Sequence, residues 1–313
     1  MRATAGRPYK DAKRYAICLI MPDRLLINVF SVDAALIVAR AMGLFTAHDL
    51  EVDVIVTPNS TEQMRGLSKG AWQIASTAFD NVLGWSGREG AEIVAVTQVS
   101  RGNILPVYAR PEIKSWSDLR GKPLAVDAVD TAYALVLRRI LLAHGLDMDR
   151  GDYTLIAKGT TEYRLDSMIA GETFAGVLNA PWDGKALAAG MVRFADHREV
   201  LPDYPGGVYA VTRQWTGDNR GALIRFLRAW NEALCWCQEE TNQSTAVKIV
   251  AESEKLDEKG ASNRLGQLPK DGRLNLVGLQ SVLDLRILFK LAPTMGKNLT
   301  AYCDESFSAA ASK

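Results

Sequence analysis

The chain has 313 residues, 48% of them hydrophobic and 23% charged, with 37 Lys and Arg against 36 Asp and Glu for a net charge of +1. At roughly 100–200 residues per domain, this length predicts about two domains, and the composition excludes disordered, collagen-like and coiled-coil chains. No block of like charge advertises nucleic acid or an anionic membrane as a partner, and no apolar stretch reaches the ~18–20 residues of a bilayer span.

The first 14 residues are polar and basic, with no apolar segment of the kind a secretory signal needs. Two localisations follow: cytoplasmic if Met1 is the native start, periplasmic if the sequence is a trimmed mature form. Next comes a short apolar run at 15–21, read as a first strand. Ser31 is an N-cap candidate for a helix reaching Gly43, with Ala34, Ile37, Val38, Ala41 and Met42 at helical spacing. Val52, Val54 and Val56 alternate as a half-buried strand, and Asn59 to Gln63 opens a helix that Gly70 stops. A strand at 72–76, a helix at 79–88 and a strand at 93–99 complete a β-α-β pattern that argues for a mainly parallel sheet.

After Arg101-Gly102-Asn103 the pattern restarts. Strands are predicted at 104–109, 124–127, 153–157, 174–178, 191–195 and 208–213, with helices at 131–144, 162–170 and 182–189 between them. Beyond Gly217 only helices are predicted, at 220–239, 244–251 and 276–290. Strands early and helices late imply that the C-terminal helices pack back on the first lobe. The expected division is therefore a discontinuous lobe of residues 1–101 plus 209–313 and a second lobe of 102–208, with hinge crossings near 99–105 and 205–209. Gly206-Gly207 offers positive-φ freedom to the second crossing.

Enzyme motifs fail in turn. There is no GxxxxGKS/T and no GxGxxG after a strand. Gly84-Trp85-Ser86-Gly87-Arg88 lacks the last glycine of a nucleophile elbow and sits in a helical pattern. His48, His144 and His197 are not at metal-ligand spacing, so neither a metal nor a cofactor is expected. Cys18, Cys235, Cys237 and Cys303 read as free thiols, too scattered for a disulfide framework.

The polar residues gather instead at predicted strand ends: Asn28 and Phe30; Ser60; Ser76 and Asp80; Asp127, Asp130 and Thr131; Lys158 to Thr161; Trp182 and Asp183. In open parallel sheets ligands bind outside the carboxyl ends of the strands, so these segments are assigned to one crevice between two lobes.

Gly43-Leu44-Phe45 with Leu50 and Val52, then Ser60, Gln63, Leu67, Gly70, Trp72, Ile74 and Ala75, resembles type II periplasmic binding proteins of the NMT1/THI5-like and sulfonate-binding (SsuA/TauA-like) group. Asp118-Leu119-Arg120-Gly121-Lys122 is similar to a DLKGK segment of that family, and Asn179-Ala180-Pro181-Trp182-Asp183 to its tryptophan-bearing loop. The resemblance runs over about residues 15–239. It implies an α/β fold of two lobes closing on a small organic ligand delivered to an ABC permease. The binding residues it implies by position are Asn28, Phe30, Ser60, Ser76, Asp80, Asp127, Asp130, Thr131, Trp182 and Asp183.

Anion binders offer open N–H groups at such helix starts, whereas this chain places Asp127, Asp130, Asp80 and Asp183 there. Carboxylates at the positive end of a helix repel a bound anion. The expected ligand is thus neutral or amine-bearing, such as an aminopyrimidine, with a flat ring for Phe30, Trp182 or Tyr209. Arg101, Arg110 and Lys158 leave an anionic aromatic acid as the alternative. A second reading is a cytoplasmic enzyme on the same fold, a decarboxylase, lyase or pyrimidine-synthase relative, with Asp80, Asp127 or Asp183 as acid or base and Cys18 as nucleophile.

Overall fold

The computed structural model describes residues 22–180 and 182–312, so the strand expected at 15–21 and Cys18 lie outside the described residues. The described chain begins β1 (Asp23–Val29), α1 (Ala34–Ala41), α2 (Leu44–Ala47), β2 (Leu50–Val56), α3 (Ser60–Ser68), β3 (Ile74–Thr77), α4 (Phe79–Trp85) and β4 (Ile93–Gln98). It continues through β5 (Pro106–Ala109), β6 (Lys122–Val126), α5 (Ala132–Ala143), β7 (Tyr153–Ala157), α6 (Thr161–Ile169), β8 (Ala175–Val177), α7 (Trp182–Ala188), β9 (Val192–Asp196) and β10 (Val208–Thr212). The remainder is helical: α8 (Arg213–Gln238), α9 (Gln243–Glu254), α10 (Glu258–Gly266), α11 (Leu276–Leu288) and α12 (Ser306–Ala311).

These strands form two five-stranded sheets of matching design, β2-β1-β3-β10-β4 and β7-β6-β8-β5-β9. In each, one strand runs against the rest: β10 is antiparallel to β3 and β4, and β5 to β8 and β9. Both reversed strands follow a passage between the sheets, because a chain that enters a sheet from the other one arrives from the opposite end. The fold is α/β and two-lobed, with mainly parallel sheets.

Alternation explains β1. Leu25, Ile27 and Val29 are buried on one face, in register with β2 from Asp23 opposite Leu50 to Val29 opposite Val56. From sequence this stretch reads as the loop after a first strand, because the continuous apolar run ahead of it outweighs a short alternating one. Asp33, not Ser31, caps α1: its side chain accepts the Leu36 N–H at 2.9 Å. The long helix α8 starts seven residues earlier than Arg220 and is interrupted at Asn219 (φ −122°, ψ 26°). Its Leu223, Phe226, Leu227, Trp230 and Leu234 form a buried stripe against α1, with Tyr209 edge-on to Phe226 and Trp230.

Two features of the connections differ from expectation. The second passage contains Gly206 and Gly207, but the positive φ lies across from them, at Gly102 (φ 97°). Gly206 is needed for close approach instead, since a Cβ there would stand 2.3 Å from both Gly102 N and Ser100 O. The other difference is α11. Its Leu279, Val282 and Leu283 join a core under the first sheet, while Leu285 joins the core of the second and Phe289 and Leu291 pack on it. The Arg138 guanidinium of α5 lies 4.1 Å from the Phe289 ring centroid. The C-terminal region thus straps both sheets rather than covering the first alone.

Candidate functional site

A cleft of about 820 Å³ opens between the two sheets. Its walls come from the carboxyl-end loops of β1, β2 and β3 on one side and of β6, β7 and β8 on the other, with both passages between the sheets at its back. Parallel strands point their carboxyl ends one way, so loops distant in sequence converge there.

The first wall carries Phe30 at the rim (45% exposed), Ser60 at the start of α3, and Ser76 with Thr77 at the end of β3. Two carboxylates lie within it, and both are occupied. Asp33 accepts the Tyr209 hydroxyl at 2.6 Å, the Trp230 indole N–H at 2.9 Å and the Leu36 N–H. Asp80 faces Arg286 of α11, whose Nη1 donates to Asp80 Oδ1 at 2.8 Å while its Nε donates to Leu291 O. Burial pushes the Asp33 and Asp80 carboxyls above the usual range, and their hydrogen bonds pull against it.

The second wall is organised around Gly159. The Gly159 N–H donates to the carbonyl of Asp127, and its own carbonyl accepts Arg164 Nη1 at 2.7 Å. The buried Arg164 side chain (2% exposed) also donates to Val177 O at 3.1 Å and to Thr161 Oγ1 at 2.8 Å; Thr161 in turn donates to Asn179 Oδ1. Asp127 accepts the Thr131 hydroxyl at 2.6 Å, and Thr131 caps α5. Among the described residues Arg164 forms no ion pair. Burial lowers its guanidinium, with Asp127 acting in the other direction. Tyr133 and Tyr204 complete this end of the cleft, and neither hydroxyl has a hydrogen-bond partner among the described residues. Burial raises both phenols, with Asp127 adding to the effect.

Phe30, Ser60, Ser76, Asp80, Asp127 and Thr131 therefore meet in one cleft. The other expected residues lie elsewhere. Asn28 (1% exposed) sits under the wall, where Gln63 Nε2 donates to both its backbone and side-chain oxygens and braces β1 against α3. Tyr209 is fully buried, its ring held between Phe226 and Trp230, because β10 is an interior strand of its sheet and is covered by α8. Asp130 is exposed beside the cap. Trp182 and Asp183 open α7 away from the cleft wall, where Trp182 packs on the cluster of Tyr108, Leu165 and Met168, and the Lys185 ammonium stands 3.7 Å from its ring centroid.

Arg164, Tyr133 and Tyr204 are cleft residues that the sequence reading misses. The signal for Arg164 is its helix position: it shares a buried face with Ser167 and Met168, and a charge on the inner face of an amphipathic helix needs a reason. Among the described residues no His, Cys, Asp and Glu gather in a group able to hold a metal ion, and no helix is long and apolar enough to cross a membrane.

Fold and cleft together define a two-lobed ligand-cleft protein of the type II periplasmic-binding class. Residues 29–251 match the sequence model of the NMT1-like family, and the chain belongs to that family. No curated protein matches it. Among solved structures, the alkanesulfonate-binding protein SsuA of Xanthomonas axonopodis pv. citri, bound to MOPS, is similar with a TM-score of 0.70 and 18% identity, over 90% of this chain and 99% of that one. The periplasmic nitrate-binding protein NrtA of Synechocystis PCC 6803 gives a TM-score of 0.73 at 13% identity, over 93% and 88%. A mutant of the desulfurization enzyme DSZB in complex with biphenyl-2-sulfinic acid gives 0.67 at 16%, over 92% and 98%. At these identities the likeness establishes the fold.

Proposed function

We propose that this chain is the solute-binding component of an ABC-type importer, which closes two lobes on a small, ring-containing, amine-bearing organic ligand and presents it to a permease. The observation that carries the reading is the cleft of about 820 Å³, lined from both sheets and backed by both passages between them. Ligand sites of this volume enclose most of a drug-sized molecule. The lobes that close are residues 1–101 with 209–313, and 102–208, hinged near 99–105 and 205–209, with the end of α11 reaching across to the second lobe's core. The binding roles of SsuA and NrtA support the solute-binding part of this reading.

Phe30 at the rim is the ring platform, and Asp127 is the acceptor for the amine, since Asp80 is already matched by Arg286. The test is a thermal-shift screen of amines, aminopyrimidines, sulfonates and aromatic acids, with mass spectrometry of each hit after incubation. A ligand at 100 times its Kd adds about 2.7 kcal/mol of stability, and its mass is recovered unchanged. Stabilisation by none of the four classes defeats the binding reading, and a changed mass transfers the protein to the enzyme reading on the same fold.

A further inference from the structure

Resting on the solute-binding reading, we propose that the ligand is a zwitterion whose anionic oxygens dock on Arg164 and whose ammonium docks on Asp127. Most charges around the cleft are already compensated. Asp80 is paired with Arg286, and Arg264, at the cleft edge, reaches Glu254 at 3.2 Å. Asp33 is enclosed by three donors.

The cations that kept an anionic ligand in view from sequence are engaged elsewhere. Arg101 donates to Leu268 O, Arg110 to Glu112 and Met168 O, and Lys158 pairs with Glu172. Among the described residues that line the cleft, one cation and one anion remain, Arg164 and Asp127. The Arg164 guanidinium donates to the Gly159 carbonyl, whereas Asp127 accepts the Gly159 N–H on its backbone carbonyl and its carboxylate forms no salt bridge with Arg164. Arg164 uses three of the five N–H groups of a guanidinium, all on neutral oxygens. Asp127 uses one oxygen on Thr131.

When the lobes close, water leaves, and a buried charge without a partner becomes costly. A purely cationic ligand would satisfy Asp127 and crowd Arg164; a purely anionic one would do the reverse. A molecule carrying both charges satisfies both. The hydroxyls of Tyr133 and Tyr204, without a partner among the described residues, add two donors for its anionic oxygens, and Phe30 at the rim offers a face to a ring.

The experiment uses matched trios on the unmodified protein, read by calorimetry. One trio is phenylalanine, 2-phenylethylamine and 3-phenylpropionate; the other is 4-(aminomethyl)benzoate, benzylamine and 4-methylbenzoate. In at least one trio the zwitterion binds about tenfold or more tightly than either singly charged partner, as expected for charge-assisted hydrogen bonds in a dry site. Arg164→Gln then reduces the zwitterion to no more than the affinity of its amine analogue, which itself binds at least as tightly as before because a like charge is gone, while Asp127→Asn does the same with respect to the acid. Because Arg164 is buried and its replacement risks the fold, the ligand comparison on the native chain and the isosteric Asp127→Asn decide the matter by themselves.

An amine, aminopyrimidine or acid that binds as tightly as every zwitterion overturns the proposal while leaving solute binding standing. The proposal falls in the same way if neither trio binds and another class of the screen does. Failure of every compound in both sets of measurements removes the solute-binding reading with it.

Discussion

The two walls of the cleft treat their carboxylates differently. On the first-sheet side Asp33 and Asp80 are met from within, by Tyr209, Trp230 and Leu36 in one case and by Arg286 in the other. On the second-sheet side Asp127 and Arg164 both line the cleft, and neither has an ionic partner among the described residues: Arg164 is bonded to neutral oxygens and the Asp127 carboxylate to the Thr131 hydroxyl. Sheets of the same strand order thus carry walls of different purpose. The first is a scaffold whose polar groups hold helices α1, α8 and α11 in place; in the second, Asp127 and Arg164 are met by neutral groups alone. Buried polar groups must be matched by something, and where the protein supplies no match a ligand can.

Replacing members of the two walls should separate these roles. The largest effect is expected at the scaffold: Asp80→Ala leaves the Arg286 guanidinium buried without its anion and should cost about 3–5 kcal/mol in denaturant unfolding. Replacing both residues by apolar ones of similar size should recover much of that loss; an additive loss would show that the pair does not act as a unit. Asp33→Ala strands the Tyr209 hydroxyl and the Trp230 N–H and should lower stability by about 2 kcal/mol, checked by the same unfolding curves.

A carboxylate of the second sheet outside the cleft provides a control. Asp196 is held well below the usual carboxylate range, first by Arg198 and also by Arg193. A depressed folded value means that its stabilisation is complete above the unfolded carboxylate pKa of about 3.9 and fades as pH falls below it. Asp196→Asn should therefore cost about 1 kcal/mol at pH 7, with the gap to the native protein narrowing as the unfolding curves are repeated at progressively lower pH. An equal gap at all pH values would place the effect in shape rather than charge. The smallest effect is expected at Asp127, where Asn can still accept from Thr131. Asp127→Asn should change stability by under about 0.5 kcal/mol while weakening ligand binding. If it destabilises the protein as Asp80→Ala does, the contrast between the walls is lost.

Local pattern made much of the fold legible. The strand at Tyr153–Ala157 lies where alternation and flanking turns placed it, and the helix expected at 131–144 is α5 to within a residue at each end. Such elements are decided by neighbours a few residues apart, through spacing and caps. The exceptions have the same origin: β1 alternates but begins with the charged pair Asp23-Arg24, and α10 is polar enough to read as loop.

The site was legible as a place and less so as chemistry. Six of the expected residues line the cleft because strand order alone determines which loops converge. Their charge state was not legible. Asp80 looks like a cleft acid until α11 brings Arg286 to it from 206 positions away. Tyr209 looks like a ring platform until β10 is found inside its sheet, and Arg164 looks like a solvated helix residue until its guanidinium is seen among three carbonyl and hydroxyl oxygens.

By itself the sequence determined the two-lobed α/β class, the family and the loops that form the cleft, since periodicity, caps and motif spacing are local properties written in order along the chain. Only the tertiary structure decided which charges cancel, because electrostatic pairing depends on distance in space. Residues some two hundred apart in the chain meet at under 3 Å, while Asp127 and Arg164, in one cleft wall, form no salt bridge.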